Sequence, residues 1–502
     1  MNVSVILYVL GYVLRIEAAL FLVTAFIALI YQENGGFYYL FTAIACALFG
    51  MLAAWHKPHD FVFYLKEGCV ITALSWIVMS IFGALPLYLS NAIPSYTDAL
   101  FETISGFTTT GATILNDVEA LEHCHLFWRS LTHWIGGMGV LVFLLMIIPL
   151  SGGSNLNLMR AESPGPSVSK IKPKMKNTAR TLYQIYFGLT VIEAVLLLLG
   201  KMPLFDTICT TFGTAGTGGF GIKNDSMGSY SPYIQWIVTI FMILFSLNFN
   251  IYYFLMLHQW KKAFAKAFCI EEIRWYLLII SSAVLIIFIN LIHISGDVSR
   301  VFREACFQVA SIISSTGYST TDFNQWPETS RMLLVLLMFV GACAGSTGGG
   351  MKVSRIVILV KSLGKEVSSF IHPKIVRKIY FEGKPVEHEV VRSTNVFLVT
   401  FFLTFTVSIF LLSFENKDLI STFTAVTTTL NNIGPGLDAV GPMESFGDMS
   451  VLSKYVLMFD MLAGRLELFP LLILFHPILW KDTLTRHQSI RKFKKSRDRR
   501  NS

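Results

Sequence analysis

The stretch TFGTAGTGGFG, from Thr211 to Gly221, decides how the rest of the chain is interpreted. Gly216, Gly218 and Gly221 match the GxGxxG fingerprint of dinucleotide-binding folds. That fingerprint requires a strand before it, a helix after it, and an acidic residue about 20 residues further on. A glycine-rich turn with another purpose is the alternative, and the surrounding sequence distinguishes the two.

The composition is that of a chain that crosses a membrane many times. Of the 502 residues, 53% are hydrophobic and only 14% are charged, and the mean hydropathy is +0.58. A soluble protein carries roughly 25% charged residues. Apolar runs near the roughly 20 residues that a bilayer requires recur along the chain. They predict ten spans, at residues 5–31, 37–54, 69–90, 125–150, 179–200, 232–257, 274–294, 331–360, 393–413 and 451–480.

The net charge of +8 is unevenly distributed over the loops. Basic residues cluster in 151–178, 258–274 and 352–392, and in a tail that ends RKFKKSRDRR. The positive-inside rule predicts that these segments and both termini are cytoplasmic, and that the tail contacts anionic lipid rather than nucleic acid. The other loops lean acidic, which predicts an outer mouth that attracts cations; the first of them carries Asp98, Glu102, Asp117, Glu119 and Glu122.

After two N-terminal helices, one unit recurs four times: a spanning helix, a short apolar segment, a Gly/Thr-rich turn and a second spanning helix. The short segments are TDALFETISGFTTTGAT (97–113), LFDTICTTFGTAGTGGFG (204–221), VFREACFQVASIISSTGYST (301–320) and LISTFTAVTTTLNNIGPG (419–436). The alignment places four glycines in register, which are Gly111, Gly218, Gly317 and Gly434, preceded by Thr110, Thr217, Thr316 and Ile433.

The repeat predicts an all-α polytopic membrane protein, with about ten transmembrane helices and four short pore helices around a pseudo-fourfold pore. The expected units are an N-terminal helix pair (1–60) and four pore repeats, at 61–160, 161–265, 266–372 and 373–502, the last with the basic tail.

The repeat also explains the glycine-rich stretch, which follows a short helix rather than a strand. Phe241 stands where the dinucleotide fold needs an acid. Glycine reaches positive φ easily, so successive carbonyl groups can point inward, and a ring of carbonyl oxygens replaces the hydration shell of a cation. The carbonyl ends of the short helices favour the same ion. We predict a cation filter formed by Thr110, Gly111, Thr217, Gly218, Thr316, Gly317, Asn432, Ile433 and Gly434.

These motifs resemble the TrkH/TrkG branch of the Trk/Ktr/HKT superfamily of potassium transporters. The likeness covers nearly the whole chain and rests on the two extra N-terminal helices and on the runs TTTGAT, GTAGTGGFG, SSTGYST and TTTLNNIGPG. The resemblance implies K⁺ as the transported ion, no organic cofactor in this chain, a homodimer and a bacterial inner membrane. It also implies a cytosolic TrkA-like nucleotide-binding regulatory subunit, for which 151–178 and 352–392 are the expected docking surface.

Two segments are candidate gates. GACAGSTGGGMK, from Gly341 to Lys352, interrupts the eighth span, and Met351 breaks its likeness to a phosphate-binding loop. It predicts either a loose kink without a role or an intramembrane loop that crosses the pore below the filter. The resemblance supports the loop as a gate, with the residues Gly345, Gly348, Gly349, Gly350 and Lys352.

The last span contains FDMLAGRLELFP, in which Asp460, Arg465 and Glu467 are charged. Charges inside a span usually face a cavity or a partner. Arg465 either pairs with one of the two acids or, as the resemblance implies, projects into the pore and repels K⁺ when the pore is closed.

Two other function classes remain open. A symporter that couples K⁺ to H⁺ or Na⁺ needs carboxylates along the path, for which Asp460 and Glu467 are the candidates. A membrane-embedded enzyme needs a convergent cluster of His, Asp or Cys, which no single loop offers, so we do not expect an enzyme. His123 and His125 flank Cys124 in an outer loop, but two histidines without further ligands do not predict a metal site.

Overall fold

A computed structural model of the chain describes residues 2–58, 64–139, 175–249, 251–252, 270–373, 378–477 and 479. Most of the basic loops 151–178 and 258–274, residues 140–150 of the fourth predicted span, residues 374–377 and the tail from 480 lie outside the described residues.

The described part of the chain forms sixteen α-helices. In chain order they are α1 Val3–Tyr31, α2 Gly36–Ala53, α3 Leu65–Leu89, α4 Tyr96–Phe107, α5 His123–Met138, α6 Met175–Leu199, α7 Leu204–Gly216, α8 Pro232–Phe245, α9 Glu271–Ser295, α10 Val298–Ile313, α11 Glu328–Val340, α12 Val353–Ile371, α13 His388–Leu412, α14 Leu419–Leu430, α15 Val451–Arg465 and α16 Phe469–Leu472. Two short strands, β1 (Tyr380–Phe381) and β2 (Lys384–Pro385), pair as an antiparallel hairpin.

Long apolar helices confirm the prediction of an all-α polytopic protein. Six helices of the described chain are long and apolar enough to cross a bilayer: α1, α2, α3, α6, α9 and α13. The first two form a closely packed hairpin, in which a Cβ on Gly11 would lie 2.7 Å from the carbonyl oxygen of Gly50, and the reverse holds for Gly50. Glycine therefore allows the two backbones to touch, as small residues do between membrane helices.

The second helix is shorter than the sequence predicts in pore repeats 2 and 4, which corrects two of the ten spans. The expected helix 232–257 ends at Phe245, and the expected helix 451–480 breaks after Arg465, where Glu467 (φ 54°) and Leu468 (φ 67°) are left-handed. The eighth span breaks between Val340 and Val353, as expected. Irregular backbone at membrane depth is tolerated where it lines a cavity or is buried in protein.

Four helices are too short to span a membrane, and they precede the four glycine-rich turns. They are α4, α7, α10 and α14, with 12, 13, 16 and 12 residues. Side chains cap three of their N-termini: Ser95, Asp297 and Asp418 each accept backbone N–H groups of the first turn. Such caps satisfy donors that the helix itself leaves unpaired. The four helices therefore direct their carbonyl ends toward the turns.

Candidate ion pore

The four pore helices end in the same backbone motif. In each, one residue adopts a left-handed conformation, with φ between 54° and 59°: Thr109, Thr217, Ser315 and Asn432. The next residue then donates its N–H five residues back, over 2.8–2.9 Å; these bonds join Thr110 to Ser105, Gly218 to Gly213, Thr316 to Ser311, and Ile433 to Thr428. This is the pairing that closes a helix with a left-handed residue, and the four turns are equivalent in detail.

This motif corrects the alignment of the second repeat by one residue. Gly218 occupies the position of Thr110, Thr316 and Ile433, and Gly219 occupies that of the other three glycines. Gly111, Gly219, Gly317 and Gly434 all have positive φ, at 80°, 76°, 85° and 95°, whereas Gly218 does not. The sequence alignment placed this glycine one residue too early because Thr217-Gly218 resembles Thr110-Gly111. The doublet Gly218-Gly219 permits either register.

The four left-handed glycines close a ring with one another's backbone. A Cβ on Gly111 would collide with the carbonyl oxygen of Gly218, one on Gly219 with that of Thr316, and one on Gly317 with that of Ile433. A Cβ on Gly434 would lie 2.8 Å from the carbonyl oxygen of Thr110, which returns to the first repeat. Each glycine therefore packs against the carbonyl that precedes the next glycine, and no side chain fits at these positions.

Several polar side chains of the filter turns form internal hydrogen bonds. The Thr110 and Thr108 hydroxyls lie 2.8 Å apart, and the Thr217 hydroxyl donates to the carbonyl of Gly216. The Asn432 amide donates to the Thr110 hydroxyl and to the carbonyl of Met461, each over 2.9 Å. The side chain of Asn432 thus ties the fourth turn to the first.

His133 on α5 supports the second filter turn from behind. Its Nδ1 lies 2.8 Å from the carbonyl oxygen of Gly106, and its Nε2 accepts the N–H of Phe220 over 3.2 Å. A Cβ on Gly218 would overlap the His133 ring. Gly218 therefore needs glycine because of a neighbouring side chain, and Gly219 because of its φ angle and a neighbouring carbonyl.

A cavity of about 320 Å³ opens on one side of the ring. Gly111, Gly219, Gly317 and Gly434 line its floor, while Arg129, Lys223, Glu444 and Asp448 are its charged lining residues. The mouth is less acidic than the sequence indicated. Asp98 pairs with Lys454 over 2.6 Å, and Glu102 is buried beneath the surface.

Glu102 and Arg129 form a buried ion pair beside the first two filter turns. Arg129 Nε lies 2.8 Å from Glu102 Oε1, and both side chains are almost fully buried. Glu102 also accepts the Thr113 hydroxyl and the N–H of Ile114, while Arg129 donates to the carbonyl of Gly221. The pair therefore joins the segments that leave the filter in repeats 1 and 2, and sequence reasoning missed it because it treated Glu102 as a loop acid.

On the other side of the ring, the segment from Gly341 to Lys352 lies directly beneath two filter turns. A Cβ on Gly348 would lie 2.8 Å from the carbonyl oxygen of Ser314, and one on Gly349 would lie 2.7 Å from that of Asn431. Gly345 and Gly350 have positive φ, at 72° and 77°. This places the predicted gate glycines together as one loop below the third and fourth turns.

Buried charged residues hold the ends of this loop. The Lys352 ammonium donates to the carbonyl of Gly349 over 3.3 Å and to that of Gly348. Glu272 on α9 accepts the N–H groups of Ala344 and Ser354, at 2.7 and 3.2 Å. The predicted gate residue Lys352 thus folds back on its own loop.

Arg465 lies across a smaller cavity, of about 90 Å³, below the filter. Its Nη1 donates to the carbonyl of Thr347 over 3.0 Å, and its Nη2 donates to the carbonyls of Gly136 and Gly137, at 2.5 and 2.8 Å. The guanidinium carbon lies 6.0 Å from the centre of the Trp76 ring. Arg465 therefore connects the loop of repeat 3 with the end of α5 in repeat 1.

The two acids considered as partners of Arg465 have other contacts. Glu467 pairs with Arg355 on α12, with Nη2 and Oε2 2.6 Å apart. Asp460 accepts the Ser408 hydroxyl over 2.7 Å. The residues that sequence reasoning missed, Glu272 and Arg355, lie at helix ends, and their partners are far away in sequence.

Comparisons with known proteins agree with this architecture. Residues 37–486 match the TrkH family, described as a cation transport protein. The chain is 34% identical, over 490 residues, to a Trk system potassium uptake protein TrkH of Salmonella typhimurium, which covers 96% of this chain and 100% of the relative. It is 32% identical, over 488 residues, to a Trk system potassium uptake protein TrkG of Escherichia coli, with 96% and 99% covered.

A solved structure has the same fold. The crystal structure of the potassium transporter TrkH from Vibrio parahaemolyticus superposes with a TM-score of 0.86 and 33% sequence identity. The match covers 96% of this chain and 100% of that one.

Proposed function

This chain belongs to the TrkH family of cation transport proteins, and we propose that it carries potassium ions across a membrane through the pore that its four filter turns surround. The relatives are potassium uptake proteins by name, which sets the membrane-enzyme alternative aside. The observation that carries the proposal is the closed ring in which each left-handed glycine packs on the carbonyl group that precedes the next one.

The filter of this proposal consists of backbone carbonyl oxygens of the four turns. Dehydrating a cation requires several oxygens at once, and the ring brings oxygens of all four repeats together. Four helix C-termini add partial negative charge at the same place. The proposed filter residues are Thr110, Gly111, Thr217, Gly218, Thr316, Gly317, Asn432, Ile433 and Gly434, to which Gly219 is added as the glycine of the second turn.

The gate of this proposal consists of the Gly341–Lys352 loop and Arg465. The loop covers the inner side of two filter turns, and the guanidinium bridges it to α5 across the inner cavity. A fixed positive charge below the filter opposes K⁺, and a glycine-rich loop at this depth can change its backbone conformation. Opening would then require the loop and Arg465 to move together.

Flux measurements on the purified full-length chain test the proposed function. The chain is placed in liposomes, and K⁺ and Na⁺ uptake are compared for the unchanged protein, Gly219→Ala and Gly188→Ala. Gly188 is the matched control, because a Cβ there would have no atom within 4 Å. We expect K⁺ uptake that Gly188→Ala preserves and Gly219→Ala loses. Equal K⁺ and Na⁺ uptake that Gly219→Ala leaves unchanged would reject the filter.

A coupled symporter is the second candidate, and two buried carboxyl groups support it. Asp460 on α15 and Glu193 on α6 are fully buried, and Asp460 Oδ2 lacks a hydrogen-bond partner among the described residues. Buried carboxyl groups of this kind occur along proton paths. K⁺ uptake driven by an imposed pH gradient, and abolished by Asp460→Asn, would favour coupling; uptake that follows the K⁺ gradient alone would favour a channel.

We also propose a partner, an oligomeric state and a membrane location for this chain. The Trk system of the relatives suggests a regulatory partner, and we propose a cytosolic TrkA-like nucleotide-binding subunit that docks on the basic segments 151–178 and 352–392. We further propose a homodimer in a bacterial inner membrane with both termini cytoplasmic. Cross-linking of single-cysteine variants in whole cells tests the dimer and the orientation independently of flux.

A further inference from the structure

A cluster of three metal-ligand side chains lies at the start of α5, outside the pore. Glu122, Cys124 and His125 direct Oε2, Sγ and Nε2 toward one another, and these atoms all lie within 4.8 Å. The Oε2–Sγ distance is 3.6 Å and the Oε2–Nε2 distance is 3.9 Å. We propose that these residues bind a divalent d-block cation, for which Zn²⁺ is the probe, at the start of α5.

Two of the three separations are close to those around a tetrahedral ion. With Zn–S near 2.3 Å and Zn–N and Zn–O near 2.0–2.2 Å, tetrahedral ligand atoms lie roughly 3.3–3.7 Å apart. The measured separations therefore require movements of only a few tenths of an ångström for two of the atom pairs. A thiolate, an imidazole and a carboxylate form a donor set that suits Zn²⁺ rather than K⁺, Mg²⁺ or Ca²⁺.

A hydrogen bond to a neighbouring helix orients His125 for this role. The Tyr39 hydroxyl on α2 lies 3.0 Å from His125 Nδ1. When Nδ1 carries the proton and donates it to the Tyr39 oxygen, Nε2 keeps its lone pair toward Glu122 and Cys124. Metal-binding histidines generally make such a bond with the other ring nitrogen, because it fixes the tautomer and the ring orientation.

Gly35, in the turn between α1 and α2, keeps the space among the ligand atoms clear. A Cβ on Gly35 would lie 2.7 Å from Cys124 Sγ, 3.1 Å from His125 Nε2, and in contact with Glu122 Oε2. The Gly35 N–H already donates to that carboxylate oxygen over 2.9 Å. The three ligand atoms thus converge on one small region that a side chain at position 35 would fill.

Two of the three ligand side chains are buried and the third is partly exposed, as an ion-binding site requires. The side chain of His125 is 3% exposed and that of Glu122 is 40% exposed, while Cys124 is fully buried. Glu122 therefore gives an ion access from solvent, and a water molecule on that side supplies the fourth ligand. Binding forms an S–metal bond in place of the Cys124 S–H bond and releases one proton, with no change of oxidation state.

Cobalt titration of the purified full-length protein tests this proposal, since Co²⁺ reports thiolate ligation by its absorption. We expect one equivalent of Co²⁺ to produce a thiolate charge-transfer band and tetrahedral ligand-field bands, and one equivalent of Zn²⁺ to remove both. Cys124→Ser should abolish the charge-transfer band. Cys306→Ser, at a partly buried cysteine on α10, is the matched control and should keep it.

Two milder variants keep the test decisive if Cys124→Ser folds poorly. Glu122→Gln retains an oxygen for the Gly35 N–H, and Tyr39→Phe removes only the hydroxyl that orients His125. Each should weaken Co²⁺ binding about tenfold or more while the unfolding temperature stays near that of the unchanged protein. A thiolate band that Cys124→Ser retains, no saturable band at all, or unchanged affinity in both mild variants would overturn the site.

Discussion

The carbonyl oxygen of Thr347 accepts a hydrogen bond from the guanidinium of Arg465 over 3.0 Å, which joins the last inner helix to the loop beneath the filter. The same guanidinium donates to the carbonyls of Gly136 and Gly137 at the end of α5. One side chain thus links repeats 4, 3 and 1 across the inner cavity.

Replacing Arg465 with alanine is expected to raise the basal K⁺ flux. The change removes a positive charge from the ion path and the bonds that hold the loop in place, so both effects lower the barrier. Flux into liposomes in the absence of any partner protein is the measurement.

Arg465→Lys separates these two effects. A lysine keeps the charge, but its compact ammonium does not reproduce the planar donor geometry of the guanidinium. Low flux in Arg465→Lys would assign closure to charge, and high flux would assign it to the bridge. Flux that stays at the basal level in well-folded Arg465→Ala would remove Arg465 from the gate.

Alanine at Gly218 and alanine at Gly219 should fail for different reasons. At Gly219 the φ of 76° and the Thr316 carbonyl are backbone features, and left-handed φ alone costs a residue with a Cβ roughly 1–2 kcal/mol. At Gly218 the obstacle is the His133 ring. We therefore expect His133→Ala to recover part of the unfolding temperature lost in Gly218→Ala, and none of that lost in Gly219→Ala.

The measurement is the unfolding temperature of the two single glycine variants, of His133→Ala and of the two double variants. Gly188→Ala serves again as the glycine control. Equal recovery in both double variants, or in neither, would show that Gly218 and Gly219 do not differ in this way.

The repeat, the short pore helices and the intramembrane loop could be predicted from the sequence because each has a local signal. Thr-Gly turns after short apolar segments indicate the filter, and four glycines between Gly345 and Gly350 indicate a broken helix. The register of the second turn could not be predicted in this way. A dipeptide match weighs Thr217-Gly218 as equal to Thr110-Gly111, whereas the backbone places its left-handed glycine at Gly219.

Contacts between segments that are distant in the chain also could not be predicted from the sequence. Arg355 and Glu467 belong to different repeats, and neither lies in a pattern that predicts the other. The break after Arg465 was missed because the residues that follow, Leu466 to Leu472, are mostly apolar and favour a continuous span. In both cases the deciding interaction is tertiary, since an apolar run specifies burial but not whether the helix continues through it.

The buried pair of Glu102 and Arg129 should contribute far more stability than an exposed pair. Glu102→Gln leaves the Arg129 charge buried without its partner, which typically costs about 3–5 kcal/mol. Arg300 and Glu304 on α10 serve as the control, because the side chain of Arg300 is 61% exposed and that of Glu304 is 13% exposed, and ion pairs between helix neighbours near the surface contribute about 0.3–0.5 kcal/mol. The free energy of unfolding in detergent should fall sharply for Glu102→Gln and barely for Glu304→Gln; similar losses would contradict this assignment.

Acid should loosen the contact between the α1–α2 turn and α5. Burial alone would raise the pKa of Glu33, but hydrogen bonds from the backbone of Cys124 and His123 and from the His123 ring bring this pKa below its usual value. A carboxyl group whose pKa is lower in the folded protein stabilises it above the unfolded value, near pH 4.3, and loses that effect as the pH falls through the folded pKa.

We therefore expect the unfolding temperature to drop as the pH falls below about 4.3, and to drop less steeply in Glu33→Gln. Glutamine still accepts N–H groups but does not titrate in this range. Glu366→Gln, at a residue on α12, is the control and should keep the full acid response. An identical acid response in Glu33→Gln and the unchanged protein would assign the sensitivity to other groups.

The ion pair of Arg355 and Glu467 should keep the inner half of the pore closed as well as stable. Arg355 lies in the first turn of α12, directly after the loop, and Glu467 lies in the break that follows Arg465. The pair therefore connects the two proposed gate elements. The Arg355 guanidinium carbon also lies 4.0 Å from the centre of the Phe397 ring. Glu467→Gln should therefore lower the free energy of unfolding by about 1.5–3 kcal/mol, as loss of a charged hydrogen bond does, and raise basal flux.

A double-mutant cycle with Arg355→Gln should give a coupling energy of about 0.5–3 kcal/mol. A coupling near zero, together with additive flux changes, would mean that the two residues act on the gate separately.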